Sequence, residues 1–533
     1  MTRDSDEPIL RRIESAFSNF AEHRTLALWT LFFCVICIRV AILPWLGIPI
    51  VRFQDEASYL LIGDTFAHGR LTNPTHSMWR SFEAFHVNWF PTYSSMYPPA
   101  QGLVLGIGQL LGNPWVGVLL TVAAMCAAIM WMLQAWMPPR WALLGGILSA
   151  LKFGFASYWV NSYWGGAVAA IGGALVLGAL PRVFRRVNAW HAVILGLGAA
   201  ILANSRPYEG FLFCVPAGGW FLWRLLVEIK SCSMPAGRTK TILAPLLLVL
   251  TATALFMGYY NWKLTGDAWL MPHVLRYRTY HSSAIFLWQH LRPQLHYNNQ
   301  QFEDFYNGWE RGNYHNTWAD VMRVSTEKLF RYGAAFFWWG ALLLLPGLPF
   351  ALRDRKMRLP AVTLAIGVIG LFALIWSFPH YAAPFTCLVI AFLVQSTRHI
   401  RTVYVAGWAL GKWLSRISIL LLAMNTGVYV AYRACDPLVW ACEGDTRRVL
   451  VQNYLSHMPG KHIVIVRYKQ GHPVHNEWVY NGADIDTAKV LWARELDNAQ
   501  NAKLISYFKD RHVWLVEPDS GNIDLKPYSP PEP

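Results

Sequence analysis

The stretch Phe53-Gln54-Asp55-Glu56-Ala57-Ser58-Tyr59-Leu60 places two adjacent carboxylates just after the first long apolar segment, residues 25 to 48. A segment of that length and composition is long enough to cross a lipid bilayer. Asp55 and Glu56 are then expected at the membrane surface, where a carboxylate can meet both lipid-borne and soluble molecules. This pair is therefore the first candidate for the catalytic residues.

The composition indicates a protein with many membrane-spanning helices. Hydrophobic residues make up 54% and charged residues 14% of the 533 positions, a balance too apolar for a soluble protein of this length. The net charge of +15 does not indicate a nucleic-acid partner, because Lys and Arg occur in short clusters between apolar runs, as in cytoplasmic loops. We predict a polytopic α-helical membrane protein that contacts membrane lipids and binds no nucleic acid.

The same clusters set the predicted topology. The apolar segment from 100 to 112 is barely long enough to cross the membrane. Counting it as a span would place the arginines at 182, 185 and 186 on the extracytoplasmic side, against the usual distribution of basic residues. We therefore interpret it as an interfacial or re-entrant helix. The N-terminus is then cytoplasmic and the C-terminus extracytoplasmic. About eleven spans result, at 25–48, 115–137, 141–158, 164–181, 190–204, 208–227, 241–262, 329–351, 359–377, 381–396 and 417–433.

Three regions lie outside the predicted spans on the extracytoplasmic side. Two are outer loops, 51–114 and 263–328, and the third is the tail 434–533. The chain is thus divided into a cytoplasmic segment 1–24, a transmembrane domain 25–433 and this tail. The tail alternates short β-branched runs at 463–466 and 513–516 with helix-like segments at 487–496 and 501–510, which predicts a small α/β domain. At its base, Cys435 and Cys442 either form a disulfide or stay as two thiols.

The first outer loop carries the candidate catalytic groups. A carboxylate at this surface can act as general base for an acceptor hydroxyl, or Asp55 can hold a divalent metal against a phosphate leaving group. The alternative is that Asp55 and Glu56 cap the helix that begins near residue 57. His86, with His76 and Glu83 nearby in sequence, could help form a metal or phosphate site, or these could be solvated loop residues.

Further candidates come from ionisable and aromatic residues in the later spans and turns. Lys152 interrupts a predicted span, where it could bind a phosphate-bearing lipid or extend to the surface. Arg206 suits bidentate phosphate binding, although an ion pair with Glu209 could instead close that turn. His380 and Tyr381 could donate to a phosphate or a sugar, or form a structural turn between two helices.

These features together resemble the GT-C glycosyltransferases, in particular the bacterial protein mannosyltransferase and aminoarabinose transferase branch. The resemblance covers about residues 25 to 400 and rests on the acidic pair after the first span, the large outer loop ending in Tyr97-Pro98-Pro99 before an interfacial helix, and the turn His380-Tyr381-Ala382-Ala383-Pro384. Two positions depart from the pattern: Asn161 stands where relatives often carry a second acidic residue, and His380 where Arg is common.

The resemblance implies a catalytic or metal-linked role for Asp55 with support from Glu56, and a substrate contact at Tyr97. It also implies a bacterial inner-membrane enzyme that moves a sugar from a polyprenyl-phosphate carrier to an extracytoplasmic acceptor, with inversion at the anomeric carbon. Two other functions stay open: a transporter or flippase of lipid-linked sugars, and a non-catalytic assembly factor for envelope polysaccharide. The enzyme is favoured because the ionisable candidates gather at one surface and not at the membrane midplane.

Overall fold

The computed structural model describes residues 8–185, 187–231, 236–432, 444–521 and 523–529. Within them a bundle of apolar helices carries an outer layer of loops and an α/β domain. The predicted cysteine pair at 435 and 442 lies outside the described residues.

The α-helices are α1 Pro8–Glu22, α2 Arg24–Ala41, α3 Leu43–Leu46, α4 Gln54–Ala67, α5 Pro99–Leu110, α6 Pro114–Trp136, α7 Pro139–Phe153, α8 Gly166–Arg185, α9 Ala189–Ser205, α10 Pro207–Lys230, α11 Ala236–Thr265, α12 Pro272–Tyr280, α13 Gln300–Phe302, α14 Trp318–Phe336, α15 Leu348–Arg353, α16 Arg358–Ala373, α17 Thr386–Ile400, α18 Leu410–Ala431, α19 Arg447–His457 and α20 Asn498–Tyr507. A π-helical turn, Glu303–Glu310, continues α13. Short 3-10 helices occupy Trp79–Phe82, Trp339–Gly347, Arg355–Met357 and Ala383–Phe385. The strands are β1 Val87–Asn88, β2 Ser94–Ser95, β3 Lys461–Val466, β4 Val490–Arg494, β5 Arg511–Val516 and β6 Lys526–Pro527.

Eight helices in the described part of the chain are long and apolar enough to cross a membrane, so the predicted polytopic helical architecture is confirmed. Each predicted span overlaps a helix, but the one expected at 329–351 is not a single straight helix. There α14 and the segment Trp339–Arg353 meet at an angle of 97°. The reason is local, because Phe337 and Trp338 both adopt extended backbone conformations that interrupt the helical hydrogen bonds.

The helix α5 lies against α4 and is too short to be counted as a span. Its 12 residues extend about 18 Å, against about 30 Å of bilayer hydrocarbon. The two helices approach closely because glycine stands at the contact: a Cβ atom on Gly102 would come within 2.0 Å of Ile62 Cγ2. This packing fixes the orientation of α4, whose first turn carries Asp55.

The C-terminal region forms the predicted α/β domain, with one error in its elements. The strands are ordered β4-β3-β5-β6, with β3 parallel to both β4 and β5. The expected strands at 463–466 and 513–516 are confirmed, and α20 covers most of the helix expected at 501–510. The helix expected at 487–496 was wrong: Val490–Arg494 is a strand, buried at every position, and such a strand lacks the alternation that would distinguish it from a helix.

The α/β domain shares a hydrophobic core with the first outer loop. Phe82, Trp89 and Tyr93 of that loop pack with Ile463 and Leu491 of the sheet in one buried cluster. The backbone N–H of Ala483 also donates to Asp64 Oδ2 of α4 at 2.6 Å. The domain is therefore held directly over the loop that carries Asp55.

One buried ion pair ties this domain together and gives a stability prediction. Arg494 Nη2 lies 2.6 Å from Glu477 Oε2, and both side chains are 1% exposed. Replacing Glu477 by Gln leaves a buried guanidinium without its counter-charge, so we expect a loss of about 3 kcal/mol, measured as a lower Tm of the purified protein in detergent. The matched control is Glu517→Gln, whose 3.4 Å contact with Arg467 is about one-third exposed and should matter little. Equal Tm shifts in the two variants would contradict the prediction.

Candidate active site

The first turn of α4 holds its two carboxylates in different environments. Glu56 is buried, and its carboxylate accepts the backbone N–H groups of Arg52 at 2.8 Å, Phe53 at 3.3 Å and Tyr163 at 3.0 Å. Burial raises the pKa of Glu56 to about 7, although these three hydrogen bonds act to lower it. Glu56 therefore caps the helix and ties it to the loop between α7 and α8, which is the structural alternative that the sequence left open for this residue.

Asp55, by contrast, is directed to a cluster of ionisable and aromatic side chains, and its side chain is 21% exposed. The hydroxyl of Tyr97 donates to Asp55 Oδ1, and the ring of Tyr97 stacks on Tyr59 with centroids 4.1 Å apart. Burial, together with the charge of Asp55, raises the pKa of Tyr97, so its phenol stays protonated as a donor. The carboxylate also lies in the first turn of α4.

His86 is the second group beside Asp55. Its Nε2 atom lies 3.6 Å from Asp55 Oδ2, longer than a hydrogen bond. Burial lowers the pKa of His86 to about 4, against the attraction of Asp55, so the imidazole is neutral at pH 7. Its backbone φ of 59° is uncommon for a residue with a side chain. The structure separates His86 from the two residues grouped with it in sequence, because Glu83 binds Tyr280 and Asn299 while His76 faces Asp486.

A cation faces Asp55 across a set of tyrosines. The guanidinium of Arg206 lies over the ring of Tyr381, 4.3 Å from its centroid. Tyr59, Tyr97 and Tyr381 each interact electrostatically with both Arg206 and Asp55. Burial raises the pKa of Tyr381 to about 12 and also raises that of Tyr59. Three protonated phenols therefore connect one carboxylate and one guanidinium.

Glu209 and His380 complete the surroundings of Arg206. Glu209 is buried and interacts electrostatically with Arg206, but the described residues include no direct ion pair between them. His380 is buried against Trp164, with ring centroids 4.7 Å apart, and its Nδ1 atom lies 3.3 Å from the hydroxyl of Tyr158. Burial, with the charge of Arg206, lowers the pKa of His380. The imidazole of His380 is therefore uncharged at pH 7, where it borders the site.

Lys152 lies in the last turn of α7. Its ammonium donates to the backbone carbonyl of Ala334 at 2.9 Å, and it lines a cavity with Trp159, Asn425 and Tyr429. Tyr158 borders the same cavity, and its hydroxyl lies 3.3 Å from His380 Nδ1. The structure thus brings together Asp55, Arg206, Glu209, His380, Tyr381, His86 and Tyr97, and Lys152 lines a cavity that shares Tyr158 with this cluster.

No family model and no curated protein matches the chain, but several solved structures are similar to it. One is the archaeal oligosaccharyltransferase AglB from Archaeoglobus fulgidus in complex with an inhibitory peptide and a dolichol-phosphate. The two sequences are 10% identical, the match covers 95% of this chain and 75% of the AglB chain, and the TM-score is 0.46. Another is ArnT from Cupriavidus metallidurans in the apo state, 13% identical over 92% of this chain and 93% of its own, with a TM-score of 0.49. The same ArnT bound to undecaprenyl phosphate has a TM-score of 0.48.

These proteins are GT-C membrane glycosyltransferases. They fall in the superfamily that the motifs of the sequence resemble.

The position where the GT-C pattern often has a second acidic residue is structurally defined here. The Oδ1 atom of Asn161 accepts a hydrogen bond of 2.9 Å from Arg39, whose guanidinium is fully buried and lies over Trp115 at 4.7 Å. Asn161 is therefore held by a buried cation from α2. Arg39 was not among the predicted site residues, although an ionisable residue inside the predicted span 25–48 was a usable signal.

The residues around Asp55 do not fit a metal site built from several protein ligands. The described part of the chain contains no group of three His, Cys, Asp or Glu side chains arranged to hold an ion. Among the described residues, the neighbours of Asp55 that could bind a metal are the histidines His86 and His475, while the Glu56 carboxylate already accepts three backbone N–H groups. We derive no step through a metal ion.

Two further members of the site escaped the sequence analysis. Tyr59 follows Asp55 by one helical turn and stacks on Tyr97, so its spacing in the opening stretch was a usable signal. His475 comes from the α/β domain and lies close enough to Asp55 to interact electrostatically. Its ring meets Trp309 edge to face at 4.4 Å, and burial lowers its pKa. Nothing local in the sequence places it near residue 55.

Proposed function

We propose that this protein is a glycosyltransferase that transfers a sugar from a polyprenyl-phosphate donor to an acceptor hydroxyl at the extracytoplasmic membrane surface. The observation that carries the proposal is the pairing of Asp55 with Arg206 across three protonated tyrosines. The pair lies where α4, the turn between α9 and α10, and the turn before α17 meet at one end of the apolar bundle. A base and a cation at a membrane surface are what transfer from a lipid phosphate needs.

The chemistry is a single displacement. Asp55 takes the proton of the acceptor hydroxyl as its oxygen attacks the anomeric carbon of the donor sugar. The bond from that carbon to the phosphate oxygen breaks, and its electron pair leaves with the polyprenyl phosphate, which gains one negative charge. Attack opposite the leaving group inverts the anomeric carbon. The acceptor is a cell-envelope glycan, lipid or protein.

Arg206 meets the charge that develops on the leaving phosphate. Its guanidinium offers several N–H donors in a planar fork suited to phosphate oxygens. Tyr381 and Tyr59 keep their protons at neutral pH and add O–H donors nearby. Because these groups are fixed before the reaction, they stabilise the transition state without rearranging.

Tyr97 and Glu56 orient the base. The Tyr97 hydroxyl holds one oxygen of Asp55, which leaves Oδ2, the atom nearer His86, to face the acceptor. Glu56 fixes the first turn of α4 through its three backbone contacts. Of the two adjacent carboxylates, Glu56 is thus a positioning residue and Asp55 is the catalytic base.

The topology belongs to the same proposal. We assign residues 1–24 to the cytoplasm, 25–433 to the transmembrane domain and 434–533 to an extracytoplasmic α/β domain. We place the protein in a bacterial inner membrane, where a polyprenyl-phosphate sugar would reach the site from the lipid phase.

The test uses the purified full chain in detergent, where transport across a membrane cannot occur. Supplied with a panel of undecaprenyl-phosphate sugars and an extract of envelope glycans and lipids, the protein should release undecaprenyl phosphate, followed by mass spectrometry. A transporter would leave every donor intact. Intact donor throughout the panel would overturn the proposal.

His475 gives a test of the contribution of the α/β domain. The loop that carries it is held by His472, which contacts Asp519 Oδ1 at 2.7 Å and the Asn476 carbonyl at 2.8 Å. We expect His475→Ala to lower kcat about tenfold, the equivalent of one lost polar contact in the transition state. The control is His457→Ala, an exposed histidine of the same domain whose ring contacts a local backbone carbonyl. Full turnover in His475→Ala would remove this residue from the site.

A further inference from the structure

We propose that a cavity between the second outer loop and the α/β domain is a binding site for a neutral carbohydrate. The cavity has a volume of about 300 Å³ and lies at the carboxyl ends of the parallel strands β3 and β4. It is lined by Asn298, Asn299, Gln300, Gln301, Val466, Tyr468, Glu495, Leu496, Asp497 and Gln500. Half of these residues carry side-chain amides.

Amide groups are suited to sugar hydroxyls because each offers N–H donors and a carbonyl acceptor. The existing contacts orient several of them. Gln301 Oε1 accepts from Arg494 Nη1 at 2.8 Å, which leaves its NH2 group as the remaining donor. Gln500 Nε2 donates to Asp497 Oδ2 at 2.7 Å, which leaves its carbonyl as the remaining acceptor. The cavity therefore presents at least one amide donor and one amide acceptor.

The charges of the lining favour a neutral ligand over a phosphate. Glu495 is matched by Arg467, whose Nε and Nη2 atoms lie 2.5 and 2.7 Å from its carboxylate. Asp497 adds a negative charge at the rim, where it caps α20. An anionic group would meet this carboxylate without a spare cation in the lining, whereas a hydroxyl can donate to it. The volume is near the lower end for small-molecule sites and suits one or two sugar rings.

The cavity is connected to the reaction centre through Glu83. The Nδ2 atom of Asn299 donates to Glu83 Oε2 at 3.0 Å, and the Glu83 carboxylate also accepts from the Tyr280 hydroxyl at 2.8 Å. Glu83 precedes His86 by three residues, so their Cα atoms are at most about 10 Å apart. A glycan held in the cavity could extend to Asp55. Its identification as the acceptor rests on the proposed function, whereas carbohydrate binding itself does not.

The test measures binding without requiring catalysis. Saturation-transfer NMR on the full chain in detergent would be run with maltose, cellobiose, lactose, chitobiose and mannobiose, and with glucose 1-phosphate as the anionic comparison. At least one neutral disaccharide should bind, and better than the phosphate. The double variant Asn298→Ala, Gln500→Ala should weaken that binding at least about tenfold.

Asn453→Ala is the matched control, because Asn453 is an exposed amide on α19 outside the cavity; it should bind as the unmodified protein does. Absence of binding by every disaccharide, or equal binding by the double variant, would overturn the inference. A Tm close to that of the unmodified protein shows that the double variant is folded. If a sugar binds at this cavity but no lipid donor is consumed, the carbohydrate site stands and the proposed transferase function fails.

Discussion

Replacement of Asp55 by asparagine is expected to lower sugar transfer by about 10²–10⁴-fold, the contribution typical of a general base. The amide keeps the size of the side chain and can still accept from the Tyr97 hydroxyl, but it cannot take a proton from an acceptor hydroxyl. The quantity to measure is kcat for release of polyprenyl phosphate by the purified protein. The Tm should stay close to that of the unmodified protein.

The control for this variant is the same chemical change at Asp267. That residue is exposed in the second outer loop, and its Oδ1 atom accepts the backbone N–H of Trp269 at 2.9 Å, a contact that asparagine preserves. Asp267→Asn should transfer sugar normally. If Asp55→Asn retains the turnover of this control, Asp55 is not the base and the assignment of the site is wrong.

Glu56→Gln separates the two adjacent carboxylates. A glutamine has one accepting oxygen in place of two, so it cannot hold the N–H groups of Arg52, Phe53 and Tyr163 together. We expect this variant to lower the Tm, in contrast to Asp55→Asn, which should lower kcat without lowering the Tm. The pattern would be reversed if Glu56 were the base and Asp55 the cap.

The sequence predicted the helical membrane architecture because long apolar runs and loop charges are properties of local segments. It also placed Asp55, Arg206 and Tyr381 on one side of the membrane, and the structure brings them together. It failed at Val490–Arg494, where burial on both faces of a strand removes the periodic pattern. It also treated two neighbouring carboxylates as one pair, since only the partners of Glu56 reveal its capping role.

Long-range pairing limits what the sequence can show of the site itself. His475 reaches the neighbourhood of Asp55 only because the α/β domain shares a core with the first outer loop. Lys152 was a candidate as a charge in an apolar segment, and its ammonium donates to the carbonyl of Ala334, far along the chain. Both placements depend on packing between elements far apart in the chain.

Loss of the Arg206 guanidinium is expected to have the second large effect. Arg206→Ala removes a cation that interacts with Tyr59, Tyr97 and Tyr381, so the developing phosphate charge loses this counter-charge. Removal of one preorganised group of this kind lowers kcat by about 10²–10³-fold. Arg206→Lys keeps the charge but not the planar fork over Tyr381, and should recover part of the loss.

The comparison variant is Arg278→Ala, an exposed arginine of the second outer loop. Its turnover should equal that of the unmodified protein, which excludes a general effect of surface charge on donor capture. The decisive quantity is the split between kcat and KM. A cation that acts on the leaving phosphate in the transition state affects kcat, whereas one that only attracts the lipid donor affects KM. A change confined to KM in Arg206→Ala would show that Arg206 recruits the donor, and the stabilisation of the leaving group would then have to come from the phenols of Tyr59 and Tyr381.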